Sequence, residues 1–195
     1  MRDNLKKNID ESIFLKKKLY EKKYKKTINE IIEILYSKII KNKKIFICGN
    51  GGSAADAQHL STEFLVRLNP KKNRKPYPMF TLTSDPTNMS AIGNDFGFEN
   101  IFKRNLEASA NKGDVLIALS TSGKSKNIIN VLKFADKIGV YSISLLGMGG
   151  GDCKNLSDLN LIVPSKNVAR IQETHMFLGH YMLNEVEKKL IRSNY

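Results

Sequence analysis

No run of the chain approaches the ~18 to 20 consecutive apolar residues that would span a bilayer. The opening residues, Met1-Arg2-Asp3-Asn4-Leu5-Lys6-Lys7, lack the apolar core of a secretory signal. Cysteine is scarce, and Cys48 and Cys153 match neither a metal-ligand spacing nor a disulfide framework. These absences point to a reduced, cytoplasmic protein. Proline and serine never gather into a linker, and the only markedly polar loop spans residues 69–78. At 195 residues and 41% apolar content, the chain suffices for one domain with a full core and is short for two. Within it, residues 1–42 form an N-terminal helical segment expected to pack on the body and on neighbouring subunits, and residues 43–195 form the body.

Acidic residues are also few, 19 against 32 basic ones, for a net charge of +13. Such a surplus raises the prospect of nucleic-acid binding, because basic surfaces release counterions from phosphate backbones. Its distribution argues otherwise. Much of it lies in Lys16-Lys17-Lys18 and Lys22-Lys23-Tyr24-Lys25-Lys26, on an early helical segment with interspersed glutamates. No zinc finger, recognition-helix pattern or stacking-aromatic motif accompanies it. A solvated face that helps to draw in anionic substrates is the better reading.

What is present is a regular alternation. Ile28, Ile31, Ile32, Leu35 and Ile39 recur at three- and four-residue spacing, which marks an amphipathic helix. Ile9, Ile13, Phe14 and Leu19 predict another helix before it, or a longer first one. Apolar material on both exceeds what one small sheet covers and predicts helix-mediated oligomerisation. Strands are then expected over residues 45–48, 79–83, 114–120, 140–146 and 159–163, and helices over 53–68, 86–110, 125–138 and 169–191. Five apolar strands separated by helices imply an α/β three-layer sandwich with a five-stranded parallel sheet. Ligands of such sheets gather beyond the carboxyl ends of the strands. The loops to inspect are therefore 49–53, 84–95, 120–125 and 147–152.

Gly49-Asn50-Gly51-Gly52-Ser53 lets the backbone turn sharply after a strand and bring amides close to an anion, with Ser53 placed to cap the following helix. Gly49, Gly51 and Ala54 satisfy the relaxed dinucleotide pattern, but the companion acid, Asp85, lies too far along the chain. A P-loop fails because Ala118 stands where its first glycine belongs. Ser120-Thr121-Ser122-Gly123-Lys124-Ser125 offers more hydroxyls than the capping of one helix requires, and reads as a phosphate cradle. On the first motif helix, His59 and Glu63 stand four residues apart and share one face, about 6 Å from each other. That spacing suits either two ligands for one metal or a glutamate base beside an imidazole. His175 and His180 fall on the last helix.

Four segments together resemble the phosphoheptose isomerase family, within the sugar isomerase (SIS) fold. They are Gly49-Asn50-Gly51-Gly52-Ser53-Ala54-Ala55-Asp56-Ala57-Gln58-His59, Ala91-Ile92-Gly93-Asn94-Asp95-Phe96-Gly97-Phe98, Leu119-Ser120-Thr121-Ser122-Gly123-Lys124-Ser125 and Ala169-Arg170-Ile171-Gln172-Glu173. The likeness spans about residues 28–191, with the motifs in the expected order. It implies conversion of D-sedoheptulose 7-phosphate to D-glycero-D-manno-heptose 7-phosphate through an enediol, toward the heptoses of bacterial surface polysaccharides such as lipopolysaccharide. It also implies a homotetramer with active sites between subunits and one Zn2+ per subunit. Carried over, the substrate contacts would be Asn50, Gly51, Gly52, Ser53, Glu63, Asn94, Asp95, Ser120, Thr121, Ser122, Ser125 and Gln172. The metal ligands would be His59, Glu63, Gln172 and His180, with Glu63 and His180 also the acid/base pair.

Gln172 and His180 are eight residues apart, a rise of ~12 Å in one straight helix. Either Gln172 lies in a non-helical lead-in after Pro164, or the two ligands of one site come from different subunits, which the family's intersubunit site favours. His175 is the competing ligand. The basic loop 69–75 is the most visible local departure, and is expected to alter the mouth of the site. Two alternatives are carried forward: a non-catalytic SIS-fold regulator that binds a replication initiator, and an isomerase of another phosphosugar. The regulator is expected to lack Glu63, the Asn94-Asp95-Phe96-Gly97-Phe98 segment and His180, all of which are present.

Overall fold

Five short apolar strands pair in parallel in the order β2-β1-β3-β4-β5 in a computed structural model that describes residues 4–83 and 85–193. They are β1 (Ile45–Cys48), β2 (Met79–Thr81), β3 (Val115–Ser120), β4 (Tyr141–Leu146) and β5 (Leu159–Ile162). Residues 1–3 of the opening segment, Ser84 of the loop 84–95, and residues 194–195 lie outside the described residues. Side chains alternate across the sheet, as a two-residue period requires. Ile45, Ile47, Val115, Ile117, Leu119, Ile143 and Leu145 enter one core, and Phe46, Cys48, Leu116, Ala118 and Leu146 enter the other. The strands read as nearly continuous apolar runs because both faces are covered.

The first core is closed by α1 (Asn4–Lys18), α2 (Lys22–Ile40), α3 (Gly52–Leu65) and α7 (Val168–Arg192), through residues such as Leu15, Ile31, Leu35, Phe64 and Leu178. The second is closed by α4 (Pro86–Phe96), α5 (Ile101–Ser109) and α6 (Lys126–Lys137), through Phe102, Leu106, Ile128 and Val131. Each buried Leu, Ile or Phe contributes roughly 1.5–3 kcal/mol, so these two clusters hold the three layers together.

Two expectations are refined. The N-terminal apolar stretch forms two helices rather than one long one. The helical stretch expected over residues 86–110 divides at Gly97, whose φ of 85° and ψ of 147° no helix accommodates, and resumes through a 3-10 turn at Phe98–Asn100. Asp85, the unsuited dinucleotide acid, caps α4 by accepting from the Thr87 and Asn88 amides.

Strand order reverses between β1 and β3: the chain leaves β1 toward one edge and continues from β3 toward the other. α3 follows β1 on one face and α6 follows β3 on the opposite face. Their N-termini therefore flank a crevice at the topological switch point, where open α/β sheets bind ligands.

Candidate active site

The glycine loop forms one wall of this crevice. Gly51 precedes α3 with φ 54° and ψ −122°, a conformation that glycine alone adopts without strain. The expectation that Ser53 caps α3 is corrected: Gly51 occupies the cap position, no side-chain cap bond forms, and Ser53 is buried inside the first turn. The opposite wall is the serine loop. Ser120 Oγ accepts from the Gly123 amide at 3.0 Å and Ser122 Oγ from the Lys124 amide at 3.2 Å. Each hydroxyl keeps its proton to donate. Ser125 stands at the cap position of α6 yet makes no cap bond, so its hydroxyl is not spent on the helix. Both walls thus present donors at uncapped helix N-termini, an environment suited to a phosphate.

The two walls are bolted together by a residue the sequence reading missed. Asn127, 2% exposed, exchanges two hydrogen bonds with Asn50, each 2.8 Å long. Behind the serine loop lies the glycine-rich turn after β4. A Cβ at Gly123 would meet the Gly150 carbonyl oxygen at 2.0 Å, and one at Gly151 would meet that of Ser122 at 2.6 Å. This fourth loop supports the cradle by close backbone packing.

Farther along α3, the 3.6-residue period turns His59 and Glu63 toward α7, where His180 meets them. His59 Nε2 lies 3.0 Å from His180 Nε2 and 3.3 Å from Glu63 Oε1, and His180 Nε2 lies 3.0 Å from Glu63 Oε2. Buried Glu63 Oε2 receives no aligned hydrogen bond despite that proximity. Three lone-pair-bearing groups thus converge on one point, all their ligand atoms within 4.8 Å of one another. Tetrahedral ligands about 2.0–2.2 Å from a zinc ion stand about 3.4 Å apart, close to the 3.0–3.3 Å contacts of the trio, so the residues present fit a divalent cation. Asp56, one turn before His59, is half-buried; burial raises its pKa and leaves one oxygen without a hydrogen bond. It too was missed from sequence, where nothing distinguishes it from a solvated helical carboxylate.

The remaining predicted residues fall in two groups. Gln172 lies within the body of α7, not in a non-helical lead-in, and that alternative is withdrawn. Its amide covers the start of α3: a Cβ on Gly52 would stand 2.4 Å from Gln172 Nε2. Gln172 therefore belongs to the loop end of α3, and His180 to the cation end. His175 is no competing ligand. It is fully buried and bonds the Leu146 carbonyl through Nε2 at 3.1 Å, and desolvation lowers its pKa to about 4. Asn94 and Asp95 are exposed on α4, bonded to each other at 2.8 Å. α4 packs chiefly on α5 and the Phe98–Asn100 turn and buries none of its residues fully.

A parallel sheet with paired phosphate-type loops at its switch point defines an SIS-domain protein, and the SIS domain family model matches residues 10–147. The phosphoheptose isomerase of Clostridium acetobutylicum is 42% identical over 191 residues, covering 97% of this chain and 96% of the relative. Phosphoheptose isomerase 1 of Campylobacter jejuni is 47% identical over 161 residues, covering 83% and 86%. The solved phosphoheptose isomerase structure from Francisella tularensis superposes with a TM-score of 0.90 at 31% identity, covering 95% of this chain and 97% of that one. The chain belongs to the phosphoheptose isomerase family and is an isomerase. Its relatives lend no support to the regulator reading.

Proposed function

We propose that Glu63 and His180 are the acid/base pair with which this isomerase interconverts D-sedoheptulose 7-phosphate and D-glycero-D-manno-heptose 7-phosphate. The convergence of His59, Glu63 and His180 at 3.0–3.3 Å carries this reading. Glu63 takes the proton from C1 of the ketose and His180 donates a proton to the C2 carbonyl oxygen, giving the enediol; His180 then recovers a proton from the C1 hydroxyl. Return of a proton to C2 yields the aldose. A positioned pair of this kind supplies ~10² to 10⁴-fold per group. His59, Glu63 and His180 would hold Zn2+, which when bound withdraws electron density from the substrate carbonyl. Ser120, Thr121, Ser122 and Ser125 hold the phosphate. Asn50, Gly51, Gly52 and Ser53 line the facing wall, and Asn94 and Asp95 bind sugar hydroxyls.

Assembly explains how these parts meet. Glu63 lies eleven residues, ~16 Å, along α3 from Gly52, so loops and cation end form two half-sites of one chain. In a homotetramer, the loop half-site of one copy, with its Gln172, faces the cation half-site of another. Leu5, Ile9 and Phe14 on α1, Phe96 at the end of α4 and Phe98 just beyond it are each 47% exposed or more in the single chain, which supports burial between copies. The buried free thiols of Cys48 and Cys153 agree with a reducing, cytoplasmic setting.

Glu63→Gln tests the pair. Isomerisation is expected to fall by at least ~10²-fold while sugar-phosphate binding, read by calorimetry, persists. Turnover near wild type removes Glu63 as the base.

A further inference from the structure

The basic loop 69–75 was expected to reshape the mouth of the site, yet Arg74 turns inward. Its side chain and that of Glu187 are each 3% exposed, and Arg74 Nε bonds Glu187 Oε1. Arg74 Nη2 donates to the Phe64 carbonyl at 2.9 Å and to that of Glu63 at 3.3 Å, and Nη1 donates to Lys75 at 3.0 Å. The guanidinium lies over the Tyr77 ring, 4.2 Å from its centroid. Glu63 and Phe64 belong to the last turn of α3, whose carbonyls have no partner within the helix. A cation there also opposes the negative end of the helix dipole.

The partner acid is on α7. Glu187 lies seven residues, two turns, beyond His180 and shares its side of the helix. Arg74 thus joins the backbone of Glu63 to the helix that carries His180. We propose that Arg74 is a positioning residue: by clamping the end of α3 to α7 it sets the Glu63 carboxylate against His180. Lysine cannot substitute, because one ammonium does not reproduce a planar fork that serves a carboxylate and two helix carbonyls at once.

Breaking a buried ion pair of purely structural purpose would lower stability and leave the folded enzyme's chemistry alone. The measurement that separates the two is the split between kcat and KM in Arg74→Lys, assayed well below its melting temperature. The expected result is a kcat lower by about ten- to hundredfold with KM within about threefold, since a small misplacement costs that much at the reacting centre and the phosphate loops are untouched. A folded Arg74→Lys protein with wild-type kcat overturns the proposal, whatever its melting temperature. Glu187→Gln leaves Arg74 an acceptor and serves where Arg74→Lys does not fold; a lowered kcat is again expected, and an unchanged one is again fatal. The inference rests on Glu63 being the base. Glu63→Gln in the same assay keeps the failures apart: an active Glu63→Gln defeats the base, whereas an inactive one beside a normal Arg74→Lys defeats only the clamp.

Discussion

His175 shows how one buried side chain writes a pH dependence into the fold. Its pKa is about 4 in the folded protein and ~6.5 when unfolded. Between those values the unfolded chain binds more protons, so stability rises with pH across the window and is lost as pH falls. The full loss from this group is roughly 3 kcal/mol. His175→Gln keeps an amide donor for the Leu146 carbonyl but does not titrate. Its melting temperature should therefore change less between pH 6.5 and pH 4 than that of the wild type. Parallel curves for the two proteins would show that His175 is not the group lost on acidification. Arg74 teaches a related lesson: it sits in a basic loop expected to alter the mouth of the site, and only the end of α3 and Glu187 reveal that its side chain is buried.

Among the elements, the serine loop carries the clearest expectation. Ser120 and Ser122 each hold a backbone amide and keep a hydroxyl proton for the phosphate. Ser120→Ala with Ser122→Ala should raise KM at least tenfold, because hydrogen bonds to a charged group contribute about 1.5–3 kcal/mol each. An unchanged KM would place the phosphate elsewhere. The strands were legible in the sequence because short apolar runs ending in glycine or serine have few other outcomes in a chain of this length. β1 has the expected bounds, residues 45–48. The break at Gly97 was not, since an isolated glycine is tolerated within a helix and its backbone angles are set by tertiary packing. The α3 cap was misread for a similar reason: serine is the commoner cap, and only the geometry of Gly51 shows that the helix starts one residue earlier.

At the scale of the molecule, the candidate site was legible as a set of residues and illegible as an arrangement. His59 and Glu63 were paired by helical spacing alone. His180 joins them within one chain because α7 packs on α3, whereas Gln172, eight residues earlier on α7, lies at the start of α3 and would reach a cation only from another copy. The Asn50–Asn127 pair likewise depends on a chain reversal that no local pattern encodes. The proposed homotetramer would bring the two half-sites of neighbouring copies together and cover exposed side chains such as Leu5, Phe14, Phe96 and Phe98. The most direct test is to incubate the protein, supplied with Zn2+, with D-sedoheptulose 7-phosphate in deuterated water and follow the sugar by NMR. D-glycero-D-manno-heptose 7-phosphate is the predicted product, with deuterium at C2 in every turnover where the proton on Glu63 exchanges with solvent before its return; recovery of the ketose unchanged would contradict the account.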